Sequence, residues 1–189
     1  MKILPQLKSR IACIALLLLG GCVRLPEGVE PIANFDVSRY LGTWYEIARL
    51  DHSFERGLSR VTAHYSMGEG GAIRVLNRGV DRAGNKWKEA RGKAYFVESP
   101  QTGRLKVSFF GPFYGGYNIV ELDHEQYSYA LVCGPNRSYL WILSRTSTLD
   151  EATLQTLVAR AKALGFDTDR LIYVEHEPPD SPPDAPPGS

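Results

Sequence analysis

Between residues 42 and 145 apolar and polar residues alternate in short runs, as expected of strands with one buried face. The runs lie at 42–50, 59–67, 72–80, 86–98, 104–110, 116–123, 127–134 and 138–145. Turn-forming residues separate several of them: Gly68-Glu69-Gly70-Gly71, Asp81-Arg82-Ala83-Gly84-Asn85, Ser99-Pro100-Gln101-Thr102-Gly103 and Gly134-Pro135-Asn136-Arg137. Links this short join antiparallel neighbours. The pattern predicts an eight-stranded up-and-down meander, and eight strands suffice to close a small barrel.

After the strands the period changes. Leu154, Leu157, Val158, Ala161 and Leu164 recur at spacings of three and four, which predicts one amphipathic helix over 149–164. Thr148 and Glu151 have the spacing of a capping box with Thr148 at the N-cap, and Gly165 is placed to end the helix. The apolar stripe predicts packing on the outside of the barrel. Leu171-Ile172-Tyr173-Val174 reads as a short final strand. The fold class is therefore all-β with one α-helix.

Alternation also assigns faces. Glu89, Arg91 and Lys93 belong in water, so Ala90, Gly92, Ala94 and Phe96 face inward. The same argument turns Val61, Ala63 and Tyr65 inward, with Val75 and Asn77, and with Leu105, Val107 and Phe109. Asn118, Val120 and Leu122 are placed inward because they oppose Glu121. Tyr139, Trp141 and Leu143 are assigned inward although Ile142 opposes them. Glu46 shares a face with Trp44, which leaves the first strand ambiguous. Small inward residues on several walls leave room for a ligand.

The two ends of the chain change the picture. Lys2, Lys8 and Arg10 precede the apolar run Ile11 to Leu19, which is shorter than the ~20 residues a membrane-spanning helix needs. Leu19-Gly20-Gly21-Cys22 resembles a bacterial lipobox. That resemblance implies removal of residues 1–21 and acylation of Cys22. Val23 after the cysteine implies sorting to the Gram-negative outer membrane, there expected to face the periplasm. Residues 22–33 read as the lipidated N-terminus and tether, and 34–177 as the barrel domain. The stretch 178–189 holds six prolines and reads as a disordered tail.

Charge excludes little, but it argues against one class. The chain has 22 basic and 21 acidic residues, and three of the basic ones leave with the signal. No basic field is left that would attract nucleic acid. Cys13 lies in the signal and Cys22 at its end, so Cys133 is the one cysteine left for the domain and no internal disulfide is expected. Cys133 follows Ala130-Leu131-Val132 and reads as a packing residue rather than a nucleophile. His52, His64, His124 and His176 lack metal-ligand spacing, and no Gly-x-Ser-x-Gly is present. No catalytic residue, metal or cofactor is expected, and the chain is not expected to be an enzyme.

Tyr40-Leu41-Gly42-Thr43-Trp44-Tyr45-Glu46 resembles the Gly-x-Trp block that opens the first strand of the lipocalin family. Trp141-Ile142-Leu143-Ser144-Arg145 resembles that family's third block, which ends in a basic residue. The second block lacks its usual Thr-Asp-Tyr around Asp123. Together with the lipobox, the order of elements is similar to the bacterial lipocalins, a branch close to apolipoprotein D. The resemblance implies a structural motif of Gly42, Trp44 and Arg145, with the arginine over the indole.

It further implies a barrel that binds a fatty acid, lysophospholipid or similar lipid. The ligand-binding residues expected are Tyr65, Asn77, Phe96, Phe109, Asn118 and Trp141. The alternatives are that the same aromatics fill a dry core, which would make the chain an envelope structural or interaction protein, and, more remotely, that the barrel is a lipid-modifying enzyme. The aromatic segment 111–118, with Phe113, Tyr114 and Tyr117 partly exposed, reads as a lid, a membrane-facing patch or a dimer surface. Homodimerisation is left open.

Overall fold

The computed structural model describes residues 23–176. The signal segment, Cys22 and the proline-rich tail expected at 178–189 lie outside the described residues. Nine strands follow in order: β1 (Gly42–Arg49), β2 (Leu58–Met67), β3 (Ile73–Asp81), β4 (Lys86–Phe96), β5 (Arg104–Phe110), β6 (Phe113–Leu122), β7 (Tyr129–Cys133), β8 (Leu140–Ser144) and β9 (Ile172–Tyr173). Each of the first eight pairs antiparallel with its sequence neighbour, and β8 returns to β1, closing the ring. β9 adds to β1 through Ala48–Tyr173 and Arg49–Ile172. No described helix is long and apolar enough to cross a membrane.

The alternating connections give the barrel two unlike ends. The β2–β3, β4–β5 and β6–β7 links share one end with a short helix, α1 (Val37–Tyr40), which the periodicity did not predict. Asp36 caps α1 by accepting from the Ser38 amide at 2.9 Å, and its own amide donates to the Tyr127 hydroxyl at 3.0 Å. The β1–β2, β3–β4, β5–β6 and β7–β8 links share the other end.

The second helix, α2 (Glu151–Ala163), covers the outer wall. Its Leu154, Leu157, Val158, Ala161 and Leu164 join Leu131, Cys133, Leu140 and Ile142 in one apolar layer, as the stripe requires. Its N-cap is Asp150, not Thr148. The Asp150 carboxylate accepts from the Thr153 amide at 2.9 Å, where its charge also suits the positive end of the helix. The Thr148 carbonyl instead accepts from the Thr146 hydroxyl. Gly165 ends the helix at φ +81.

Two bulges overturn simple alternation. In β6 the register against β7 shifts between Ile119 and Glu121. Tyr117, Ile119 and Leu122 therefore join the barrel interior, while Val120 joins the layer under α2. The expectation that Asn118 and Val120 face inward is corrected. One extra residue in a strand moves everything on one side of it to the opposite face. In β1 the shift lies between Glu46 and Ala48. Glu46 and Arg49 pair with Leu143 and Trp141 on the inner face, and Ile47 and Ala48 lie outside.

Part of the segment before Asn34 packs on the barrel wall. Pro26 and Val29 are buried, and Leu25 packs on the layer under α2.

Candidate functional site

The closed end is built around Trp44. Gly42 takes φ +93, and a Cβ there would approach Arg145 Nη1 to 3.3 Å. The Trp44 ring is fully buried, and its Nε1–H donates to the Tyr40 carbonyl at 2.8 Å. The Arg145 guanidinium lies 4.0 Å above the indole and donates to the carbonyls of Thr43, Arg39 and Tyr127. Every donor there has work near the backbone, so this end is a plug.

Above the plug runs a layer of tyrosines. Tyr40 and Tyr117 share a hydrogen bond at 2.8 Å between their hydroxyls, and Tyr65 donates to Tyr117 at 2.9 Å. Burial pushes all three phenols up, so they stay neutral. Tyr65 faces inward as expected, with its hydroxyl already engaged. Tyr117 also lies inside the barrel, against its expected partial exposure, because the bulge after Ile119 puts Tyr117 and Ile119 on the same inner face as Leu122.

Toward the open end the wall is less filled. Asn77 pairs in register with Ala63 and Ala90, so the three share the inner face. Ala63 and Asn77 are half-buried and Ala90 is exposed, although all three point into the barrel. Gly92 brings the Phe109 ring close: a Cβ there would meet it at 2.9 Å. The structure thus brings together Tyr65, Asn77, Phe109 and Trp141, with Phe96 deeper beside Phe35 at 6.1 Å. Asn77 Oδ1 is buried with no hydrogen-bond partner, an acceptor aimed at the interior wall.

Asn118 does not belong to this group. It pairs with Arg104 and Cys133, on the outer face, and its Nδ2–H donates to the carbonyls of Cys133 and Gly134 at 3.3 Å. Its role is to tie β6 to the end of β7.

Sequence reasoning missed a buried polar cluster beside Trp141. Arg49 donates to Glu46 at 2.5 Å and to the carbonyls of Glu55 and Leu58. Glu55 accepts from the Trp141 Nε1–H at 3.0 Å and lies 3.0 Å from His52 Nε2. Burial and the facing Glu55 charge hold the Glu46 carboxyl well above the usual range, despite Arg49. Burial also acts against Glu55, but the His52 and Trp141 contacts outweigh it and hold that carboxyl below the usual range. Phe54 stacks on His52 at 4.0 Å, and His52 lies 5.1 Å from Trp141, so the β1–β2 link leans over the mouth. The one available signal was Glu46 on the same face as Trp44.

Among the described residues no group of His, Cys, Asp and Glu side chains could hold a metal ion. What the open half offers is an inner wall that is largely apolar, with a few polar groups and several inward residues not fully buried, on a barrel of the size that can hold one small ligand.

Comparison with known proteins agrees with this geometry. Residues 35–176 match the family model described as a lipocalin-like domain. The chain is 58% identical over 160 residues to the outer membrane lipoprotein Blc of Vibrio cholerae, covering 85% of this chain and 94% of that protein. It is 50% identical over 175 residues to the protein of the same name from Escherichia coli K12, covering 93% and 98%. Mouse apolipoprotein D is 32% identical over 145 residues, covering 73% and 75%. In fold the chain is similar to insecticyanin from the tobacco hornworm, with a TM-score of 0.65 at 21% identity, covering 82% and 87%. With the Gly42–Trp44–Arg145 plug and the closed eight-stranded barrel, these matches show that the chain belongs to the lipocalin family.

Proposed function

We propose that this chain is a lipid-binding protein of the Gram-negative outer membrane, anchored through acyl chains on Cys22 and facing the periplasm. Residues 1–21 are then its signal peptide and 22–33 the link to the barrel. The barrel holds a fatty acid or lysophospholipid for transport, storage or envelope maintenance, without turning it over. The observation that carries the reading is the inner wall toward the open end, where Ala63, Asn77 and Ala90 face inward without being fully buried, beside Phe109 and Trp141. The outer membrane lipoproteins to which the chain is similar support the location.

Magnitudes agree. A buried alkyl chain gains ~0.8 kcal/mol per CH₂, or ~10 kcal/mol gross for a long chain. Loss of ligand freedom removes ~4 kcal/mol and leaves ~6 kcal/mol, an affinity on the order of tens of micromolar. The headgroup stays toward the mouth, where Asn77 Oδ1 is an acceptor without a partner. Displacement of a fluorescent fatty acid by palmitate and by lysophosphatidylethanolamine is the direct test. Saturable displacement by either is expected. Absence of any saturable signal would overturn the reading in favour of a filled-barrel interaction protein.

A further inference from the structure

Four exposed aromatic residues gather at one end of the barrel, and a fifth, Tyr173, lies on β9. Phe110 and Phe113, 81% and 75% exposed, flank the Gly111-Pro112 tip between β5 and β6. Phe54 lies in the β1–β2 link and Trp87 at the start of β4, both exposed. In an alternating meander these connections share the open end, so the four side chains surround the mouth of the chamber. A rimmed apolar patch of this kind marks an interaction site. Trp87, with its ring N–H, suits the interfacial layer of a bilayer, and the three phenylalanines supply apolar surface to bury there.

The N-terminal segment reaches the same end. The Phe35 amide donates to the Gln101 carbonyl at the closed end, and the Ile32 amide donates to the Ile119 carbonyl partway up the wall. Further back along the chain, the Glu27 carbonyl accepts from Arg137 Nη2 at 2.6 Å. Arg137 belongs to the β7–β8 link, at the open end, and also donates to the Leu164 carbonyl where α2 stops. Cys22 precedes Glu27 by five residues, a reach of at most ~18 Å. Arg82, Lys86, Lys88 and Arg137 stand on this rim, while Asp81 and Glu175 beside them already face Lys88 and Arg82. Glu27 and the Asp51–Arg56 pair lie at the same end, so its charges nearly balance and the aromatic side chains carry the surface.

We propose that the open mouth of the barrel faces the lipid bilayer, with Phe110, Phe113, Phe54 and Trp87 seated in its interfacial layer beside the entry point of Cys22. The anchor in this arrangement rests on the acylation read above; the aromatic rim does not. A lipid then passes between membrane and chamber without crossing water.

Two labelled variants of the full chain, Phe113→Cys at the rim and Met67→Cys at the closed end, test this. Both positions are exposed. Burial pushes the Cys133 thiol up to about 12, so a maleimide dye at neutral pH spares it. Each variant carries a polarity-sensitive dye and is added to phosphatidylethanolamine–phosphatidylglycerol vesicles. The expected result is a blue shift for the label at 113 and none for the label at 67. A shift at 67 alone, or at neither site, would overturn the proposal. So would a concentration-dependent shift at 113 without vesicles, which would mean that a second copy covers the rim. Signal from Cys22 is common to both variants and cancels in the comparison. Acylation is read separately from the mass of the purified chain, and chamber occupancy from fatty-acid displacement, so failure of the binding reading is distinguishable from failure of this one.

Discussion

The two ends of the barrel are made of similar residues used in opposite ways. At the closed end Trp44, Tyr40, Tyr65 and Tyr127 are all buried, and Arg145 caps the indole while donating to three carbonyls. At the open end Phe54, Trp87, Phe110 and Phe113 face solvent, and Asn77 Oδ1 has no partner. Aromatic surface that is buried and hydrogen-bonded holds a fold together. Aromatic surface left bare around the open mouth is available to a ligand or a membrane. Stability and binding should therefore separate along the barrel axis.

The largest effect is expected at the plug. Trp44→Ala should cost about 3–5 kcal/mol, a large share of the stability of a domain this size, read as a lower urea midpoint. A loss below ~1 kcal/mol would remove the distinction between the ends. At the other end, Ala90→Phe puts a ring into the chamber. If it excludes three methylenes of a bound chain, affinity falls roughly fifty-fold. The urea midpoint should hardly move, because Ala90 is exposed in the free protein. Equal losses of affinity and stability would mean that the chamber is part of the packed core.

Smaller effects sharpen the same division. Arg145→Lys keeps the charge but not the planar fork that reaches three carbonyls, and should cost about 1–2 kcal/mol with ligand affinity unchanged. The smallest effect concerns acid. Glu55 ionises more readily folded than unfolded, so its contribution is present above the unfolded pKa and is lost as pH falls through the lower folded value. Glu55→Gln should flatten the fall of melting temperature in that acid range. Glu46 has the opposite sign: its raised pKa adds stability at low pH that is lost as pH rises. A melting curve whose acid limb is unchanged in Glu55→Gln would place the acid sensitivity elsewhere.

Much of the fold was legible because it rests on local periodicity. The turns at 68–71, 81–85 and 99–103 mark links between strands, and Leu157 and Ala161 mark the buried face of α2. The plug was legible by resemblance, since Gly42, Trp44 and Arg145 stand in recognisable blocks. The site was only partly legible. Tyr65 and Asn77 were placed on the interior wall by alternation, which held because the β2–β3 ladder is regular there, and Phe109 and Trp141 also lie inside although bulges interrupt ladders beside them. Asn118 and Tyr117 exchanged faces because strict alternation cannot register a bulge. The Glu46–Arg49–Glu55–His52 cluster escaped notice because charged residues are assigned to water unless their partners are known, and these partners meet only when the β1–β2 link folds over the mouth.

The sequence by itself determined the strand order, the outer helix and the plug, because each depends on residue spacing within one element or on a motif read along the chain. The tertiary structure decided which residues line the chamber, which charges lie inside it, and that the N-terminal segment climbs to the open end. Those outcomes depend on register between strands and on contacts such as Arg137 with Glu27, more than a hundred residues apart, and no local pattern encodes them.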